Sequence, residues 1–179
     1  MKLFAAAIFL ATSFTASAQP AAPAAARAGV AGVVERYANA VACAGVKVRP
    51  DDVLMLSAGY PEALLPKYAV LWNGDMTCFG GSGATKTQLA IVTFNTGQYV
   101  VQPELSSPVV AFESPVRFVS RVVSYSARNL VLEGKEYGPG DPDSAPSVPV
   151  RFILHLDGKG DWKLADKVFL TSGAGEAAR

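Results

Sequence analysis

The sequence predicts a mainly β, α+β domain, in which a curved or two-layered antiparallel sheet carries one N-terminal helix packed on it. Three observations support this. Only residues 28–43 repeat apolar residues at helical spacing. Every later apolar run is short and rich in β-branched or aromatic residues. The links between neighbouring runs are mostly short, which forces antiparallel pairing. A single helix cannot cover both faces of a large sheet, so the sheet must curve or fold over itself.

The chain opens "MKLFAAAIFLATSFTASA" (residues 1–18), with Lys2 first, then an apolar core, then Ala16-Ser17-Ala18. That order is the one found in a secretory signal peptide, and the apolar run is too short to span a bilayer as a helix. Cleavage is expected after Ala18, placing the rest in the periplasm or outside the cell. Nothing later reads as a transmembrane segment. Residues 19–28, rich in proline and alanine, read as an extended linker. In "AGVAGVVERYANAVAC", Val30, Val33, Val34, Tyr37 and Val41 form one apolar stripe, with Glu35, Arg36 and Asn39 opposite. Gly45 is expected to stop the helix. Glycines within the helix weaken it, so packing must hold it.

Past the helix, "DDVLMLS" (51–57) suggests a strand, and "YPEALLP" (60–66) allows no more than a turn of helix between its prolines. "YAVLW" (68–72) reads as a strand ended by the turn signal "NGD" (73–75). "TQLAIVTFN" (87–95) and "QYVVQ" (98–102) predict a hairpin across Thr96-Gly97. "VRFVSRVVSYS" (116–126) alternates, yet neither of its faces is cleanly polar. "NLVLEGKEY" (129–137), "VPVRFILHLD" (148–157) and "DWKLADKVFL" (161–170) complete the set, the last two joined by the tight turn "GKG". Residues 29–171 therefore make a single globular domain, and 172–179, lacking apolar periodicity, form a disordered tail.

Composition narrows the chemistry. The formal net charge is +1, and the signal segment carries one of the lysines and no acid, so the remainder is near neutral. That gives no electrostatic reason to expect nucleic acid as a partner. The two cysteines, Cys43 and Cys78, are expected to pair as a disulfide in an oxidising compartment. With one histidine in the chain they cannot close a zinc site without carboxylates, and no cofactor is implied.

The run "CFGGSGATKT" (78–87) approaches a phosphate-binding loop. However, Thr85 stands where the glycine before Lys86 is required, and the residues that follow favour a strand over a helix. Nucleotides are therefore not expected as ligands. Ser82 lacks the second glycine of a nucleophile elbow, and His155, the one histidine available as its base, lies within a strand. The pairs Asp51-Asp52, Asp141 with Asp143, and Asp157 with Asp161 lie at turns, where aspartate serves the backbone. The long loop 135–147, stiffened by Pro139, Pro142 and Pro146, stands out. Tyr137 is its candidate partner anchor, flanked by Lys135, Glu136 and Asp141.

Nucleophile, base and metal ligands are all poorly supplied. The sequence therefore favours a non-enzymatic exported binding module (an inhibitor, immunity-type or envelope accessory protein) acting on an unknown protein partner. The alternative is a small secreted hydrolase whose catalytic carboxylates the sequence does not single out.

Overall fold

A strand with apolar side chains on both sides needs cover on both faces, and that requirement organises this molecule. The computed structural model describes residues 22–43, 45–57, 65–80 and 84–170. The stretches expected as a signal peptide (1–18) and a tail (172–179), Ser82 and most of the 60–66 stretch lie outside these residues. A helix, α1 (Ala24–Val41), precedes eight strands: β1 (Val53–Ser57), β2 (Lys67–Asp75), β3 (Thr85–Asn95), β4 (Gln98–Val101), β5 (Val119–Tyr125), β6 (Asn129–Glu136), β7 (Val148–Leu156) and β8 (Trp162–Phe169). They form two antiparallel sheets in the orders β1-β2-β3-β4 and β5-β6-β7-β8. The α+β, mainly β expectation thus holds in its two-layered form, with the helix as a third layer.

The first sheet is the middle layer. Tyr68, Val70 and Trp72 of β2, with Ala90 and Val92 of β3, pack against Val30, Ala31, Val34 and Ala38 of α1. The alternate residues Ala69, Leu71, Leu89 and Ile91 face the second sheet, meeting Leu130, Leu132, Phe152, Leu154 and Trp162. Period-two alternation therefore serves two cores rather than a core and solvent. Phe152, Trp162 and the leucines at 89, 130, 132 and 154 are fully buried. Each large side chain so buried contributes about 1.5–3 kcal/mol. The helix side, built from valine and alanine, contributes less per residue.

Three local features depart from the sequence reading. Helix α1 starts at Ala24, inside the stretch expected as linker. Pro23 presets the backbone at φ −54°, three alanines follow, and the Arg27 amide closes the first turn onto the Pro23 carbonyl at 3.0 Å. The helix ends at Val41, ahead of Gly45, and its last turn is tied to the chain that follows by Asn39. Its side-chain amide donates to the Glu35 and Val46 carbonyls, and its oxygen accepts the Val46 amide.

Second, Asn73-Gly74-Asp75 is not a turn. These residues continue β2, paired with Thr87, Lys86 and Thr85. Gly74 is needed because a Cβ there would stand 2.4 Å from the Trp72 ring and 3.1 Å from the Ala42 Cβ. The chain turns only afterwards, where Cys43 and Cys78 form the expected disulfide with Cα atoms 5.2 Å apart. This bond ties the end of α1 to the chain leaving β2.

Third, β5 carries two bulges, between Val119 and Arg121 and between Val122 and Ser124. Each inserts one residue, so Val119, Val122 and Tyr125 all pack towards the inter-sheet core. The inward period becomes three, which is why alternation in "VRFVSRVVSYS" gave no clean face.

Strand β4 pairs only with residues 92–95 of β3, leaving the middle of that edge to other groups. The Ser106 hydroxyl accepts the Ile91 amide at 2.9 Å, and the Ser107 amide donates to the Leu89 carbonyl at 2.9 Å. Both serines are buried, and they satisfy an edge that would otherwise be costly.

Candidate functional site

The two sheets are joined at one corner and splayed beside it. At the join, the Thr87 amide donates to the Arg117 carbonyl at 2.9 Å. The Thr87 hydroxyl accepts the Val119 amide at 3.0 Å and donates to Asn73 Oδ1 at 2.7 Å. Beyond this seam lie β1 and β5, which stand at the ends of the two strand orders. Between them opens a cleft of about 980 Å³.

Each wall has a distinct source. Leu54 and Leu71 come from the face of the first sheet that looks towards the second, and Val119, Val122 and Tyr125 come from the bulged strand opposite. Asn73, Thr87, Ser120 and Ser124 add hydroxyl and amide groups, and Val123 stands on the exposed edge of β5. The lining is thus mixed, with apolar side chains set among hydroxyl, amide and charged groups.

Charges ring the cleft but are already matched. Arg49 clamps Asp52 with Nε at 3.1 Å and Nη2 at 2.8 Å, and Arg27 reaches Asp51 at 3.1 Å. Lys47 bonds Glu35 at 3.0 Å. Arg121 belongs to a cross-strand row on the outer face of the second sheet. There Glu133 accepts Arg121 on one carboxylate oxygen, at 2.7 and 3.0 Å, and Arg151 on the other, at 2.6 and 2.9 Å. Arg121, Glu133 and Arg151 are direct cross-strand neighbours. Bonds from Arg151 first, and from Arg121, hold the Glu133 carboxyl below the usual carboxylate range.

The sequence-derived candidates are dispersed rather than convergent. Lys135 and Glu136 are the last residues of β6, opposite Pro149 and Val148, so the loop proper is 137–147. Glu136 pairs with Lys167 of β8 at 2.9 Å. Tyr137 is 45% exposed, and its hydroxyl donates to the Asp143 carbonyl within the loop. Asp141 accepts the Gly138 amide at 2.8 Å and the Ser147 amide at 2.7 Å, closing the loop at its base. The Gly138 bond is the main reason that its carboxyl is held below the ordinary value. This loop is therefore internally braced.

Other acids serve the backbone in the same way. Asp157 accepts the Lys159 and Asp161 amides in the β7–β8 turn, and Asp161 accepts the Ala111 amide. His155 lies on an exposed strand position and bonds Asn129 Oδ1 at 2.9 Å. Asp75, at the end of β2, accepts the Thr77 hydroxyl and the amides of Thr77, Cys78 and Gly80 at 2.8–3.1 Å. These bonds, led by the Thr77 hydroxyl, hold its carboxyl below the usual range. They also hold Cys78 in a left-handed conformation, φ 61°, beside the disulfide. Among the described residues no three histidine, cysteine or acidic side chains stand together as metal ligands.

Sequence reading missed the cleft because β1 and β5 are far apart along the chain. The available signal was the set of serines and an arginine in β5, which interrupt an otherwise apolar strand. Comparison of the chain with family models, curated proteins and solved structures finds no match.

Proposed function

We propose that this protein is an exported, non-enzymatic binding domain acting through protein–protein contact, as inhibitors, immunity-type proteins and envelope accessory proteins do. Its partner inserts an extended, amphipathic segment into the cleft between β1 and β5. The observation carrying this reading is the cleft's lining. It combines apolar side chains, neutral hydrogen-bonding groups and the outer edge of β5, which no other strand pairs among the described residues, while the ionisable groups on its rim are engaged with one another. A catalytic cleft calls for a free acid or base with a displaced pKa aimed at the substrate. A peptide-binding groove calls for pockets beside a backbone edge. The bulges shorten any ladder that β5 offers, so side-chain insertion between Leu54, Leu71 and Val122 supplies most of the specificity. The disulfide, together with the lack of a membrane-spanning helix among the described residues, is compatible with an oxidising, exported location.

The test uses peptides selected by display on the oxidised protein, with affinities measured by fluorescence anisotropy. Ser124→Trp fills the cleft from an exposed position and should weaken the selected peptides at least about tenfold, or about 1.4 kcal/mol. Replacing residues 138–146 by a short glycine turn should leave affinity unchanged. Loss of binding in the loop variant with retention in Ser124→Trp would refute the cleft and move the contact to Tyr137.

A further inference from the structure

A second concavity lies on the other side of the Thr87 seam, beside the loop 137–147. We propose that it is a carboxylate-binding site, distinct from the cleft, which takes a monoanionic carboxylate attached to a small apolar body. It holds about 350 Å³, and its lining includes Lys86, Pro115, Val116, Arg117, Tyr137 and Asp143.

The cations are the first observation. Among the described residues the ion pairs use other lysines and arginines, so neither Lys86 nor Arg117 has a carboxylate partner. Arg117 is nevertheless fixed. Its Nε donates to the Thr85 carbonyl at 2.9 Å and its Nη1 to the Asp143 carbonyl at 3.2 Å, with the guanidinium 4.7 Å from the centre of the Phe118 ring. Those neutral acceptors orient the fork without neutralising it, and Nη2 keeps its hydrogens for a ligand. Lys86 adds a mobile ammonium to the same concavity.

The walls are the second observation. Tyr137 is held by its bond to Asp143, and with Pro115 and Val116 it offers an apolar flank for the ligand's body. Asp143 also lines the concavity, where its backbone carbonyl accepts the Arg117 and Tyr137 bonds. Inorganic phosphate can meet the two cations but has no apolar body to place against Tyr137, Pro115 and Val116, so it gains less in this site. The same chemistry could come from a free small acid or from an acidic residue or C-terminus of a polypeptide.

The experiment is an NMR titration of the ¹⁵N-labelled, oxidised full chain with N-acetyl-phenylalanine, its primary amide and inorganic phosphate. The acid should give saturable shifts confined to residues 85–87, 114–118 and 137–143, with a Kd on the order of millimolar. The amide, which loses the charge-assisted bond, and phosphate, which loses the apolar contact, should each bind at least about fivefold more weakly. Lys86→Gln, at an exposed position, should weaken the acid at least about threefold, and Arg117→Gln about tenfold. A short acidic peptide that reproduces the shifts identifies a polypeptide source, whereas binding of the free acid alone identifies a small molecule. Equal binding of acid and amide, tighter binding of phosphate, indifference to Lys86→Gln, or no saturable shift up to about 20 mM would each overturn the proposal.

Discussion

Replacing Cys43 and Cys78 together by serine opens a loop whose ends are 35 residues apart in sequence. In the chain-entropy treatment, a loop of that length removes about 13 cal/mol/K from the unfolded ensemble, worth about 3.8 kcal/mol at 25 °C. The native state should change little. The Cys43 amide still donates to the Asp75 carbonyl at 2.8 Å, and the Asp75 carboxylate still gathers the amides of Thr77, Cys78 and Gly80. The full entropic loss should therefore appear as stability. Against a total of about 5–15 kcal/mol, it is a large fraction. Urea unfolding followed by tryptophan fluorescence reads it directly. With a slope of about 2 kcal/mol/M, the midpoint should fall by about 2 M while the slope stays constant or rises slightly. A midpoint shift under about 0.5 M would refute the reasoning, because the cross-link would then not be restricting the unfolded chain.

Other consequences follow from the core and the edges. Phe152→Ala, in the centre of the inter-sheet layer, should cost about 3–5 kcal/mol in the same assay, since no neighbouring group can refill the space. Ser106→Ala should cost about 1–3 kcal/mol despite its small change in volume, because the buried Ile91 amide loses its acceptor. Asp75 has a folded-state pKa held below its unfolded value, so its contribution is fully present above about pH 4 and is lost as pH falls through the lower folded value. Thermal unfolding should accordingly show that Asp75→Asn loses less stability than wild type between neutral pH and about pH 2, and equal losses would remove Asp75 from that role.

The fold class was legible because its signals are local. One run at helical spacing, short β-branched runs and short links suffice for a helix and antiparallel sheets. The layering was less accessible. "YAVLW" and "LAIV" look uniformly apolar because Tyr68, Val70, Trp72, Ala90 and Val92 face α1 while Ala69, Leu71, Leu89 and Ile91 face the second sheet. Asn73-Gly74-Asp75 has the composition of a turn, but its glycine answers a steric demand from Trp72 that only the folded strand reveals. The bulges of β5 hid an inward period of three behind an apparent alternation. The cleft depends on the juxtaposition of Leu54 with Val122, and no local pattern encodes that meeting. By contrast, the disulfide needed only a count of two cysteines and a compartment.

The most direct test of the binding account places a photocrosslinking amino acid at Ser124 in the cleft, at Tyr137 in the loop, and at Lys159 in the distant β7–β8 turn, in the native host cell. Irradiation should give a discrete protein adduct from position 124 that disappears when Val122→Arg also blocks the cleft. Position 159 should give none. An adduct from position 137 alone, or no adduct from position 124, would contradict the account.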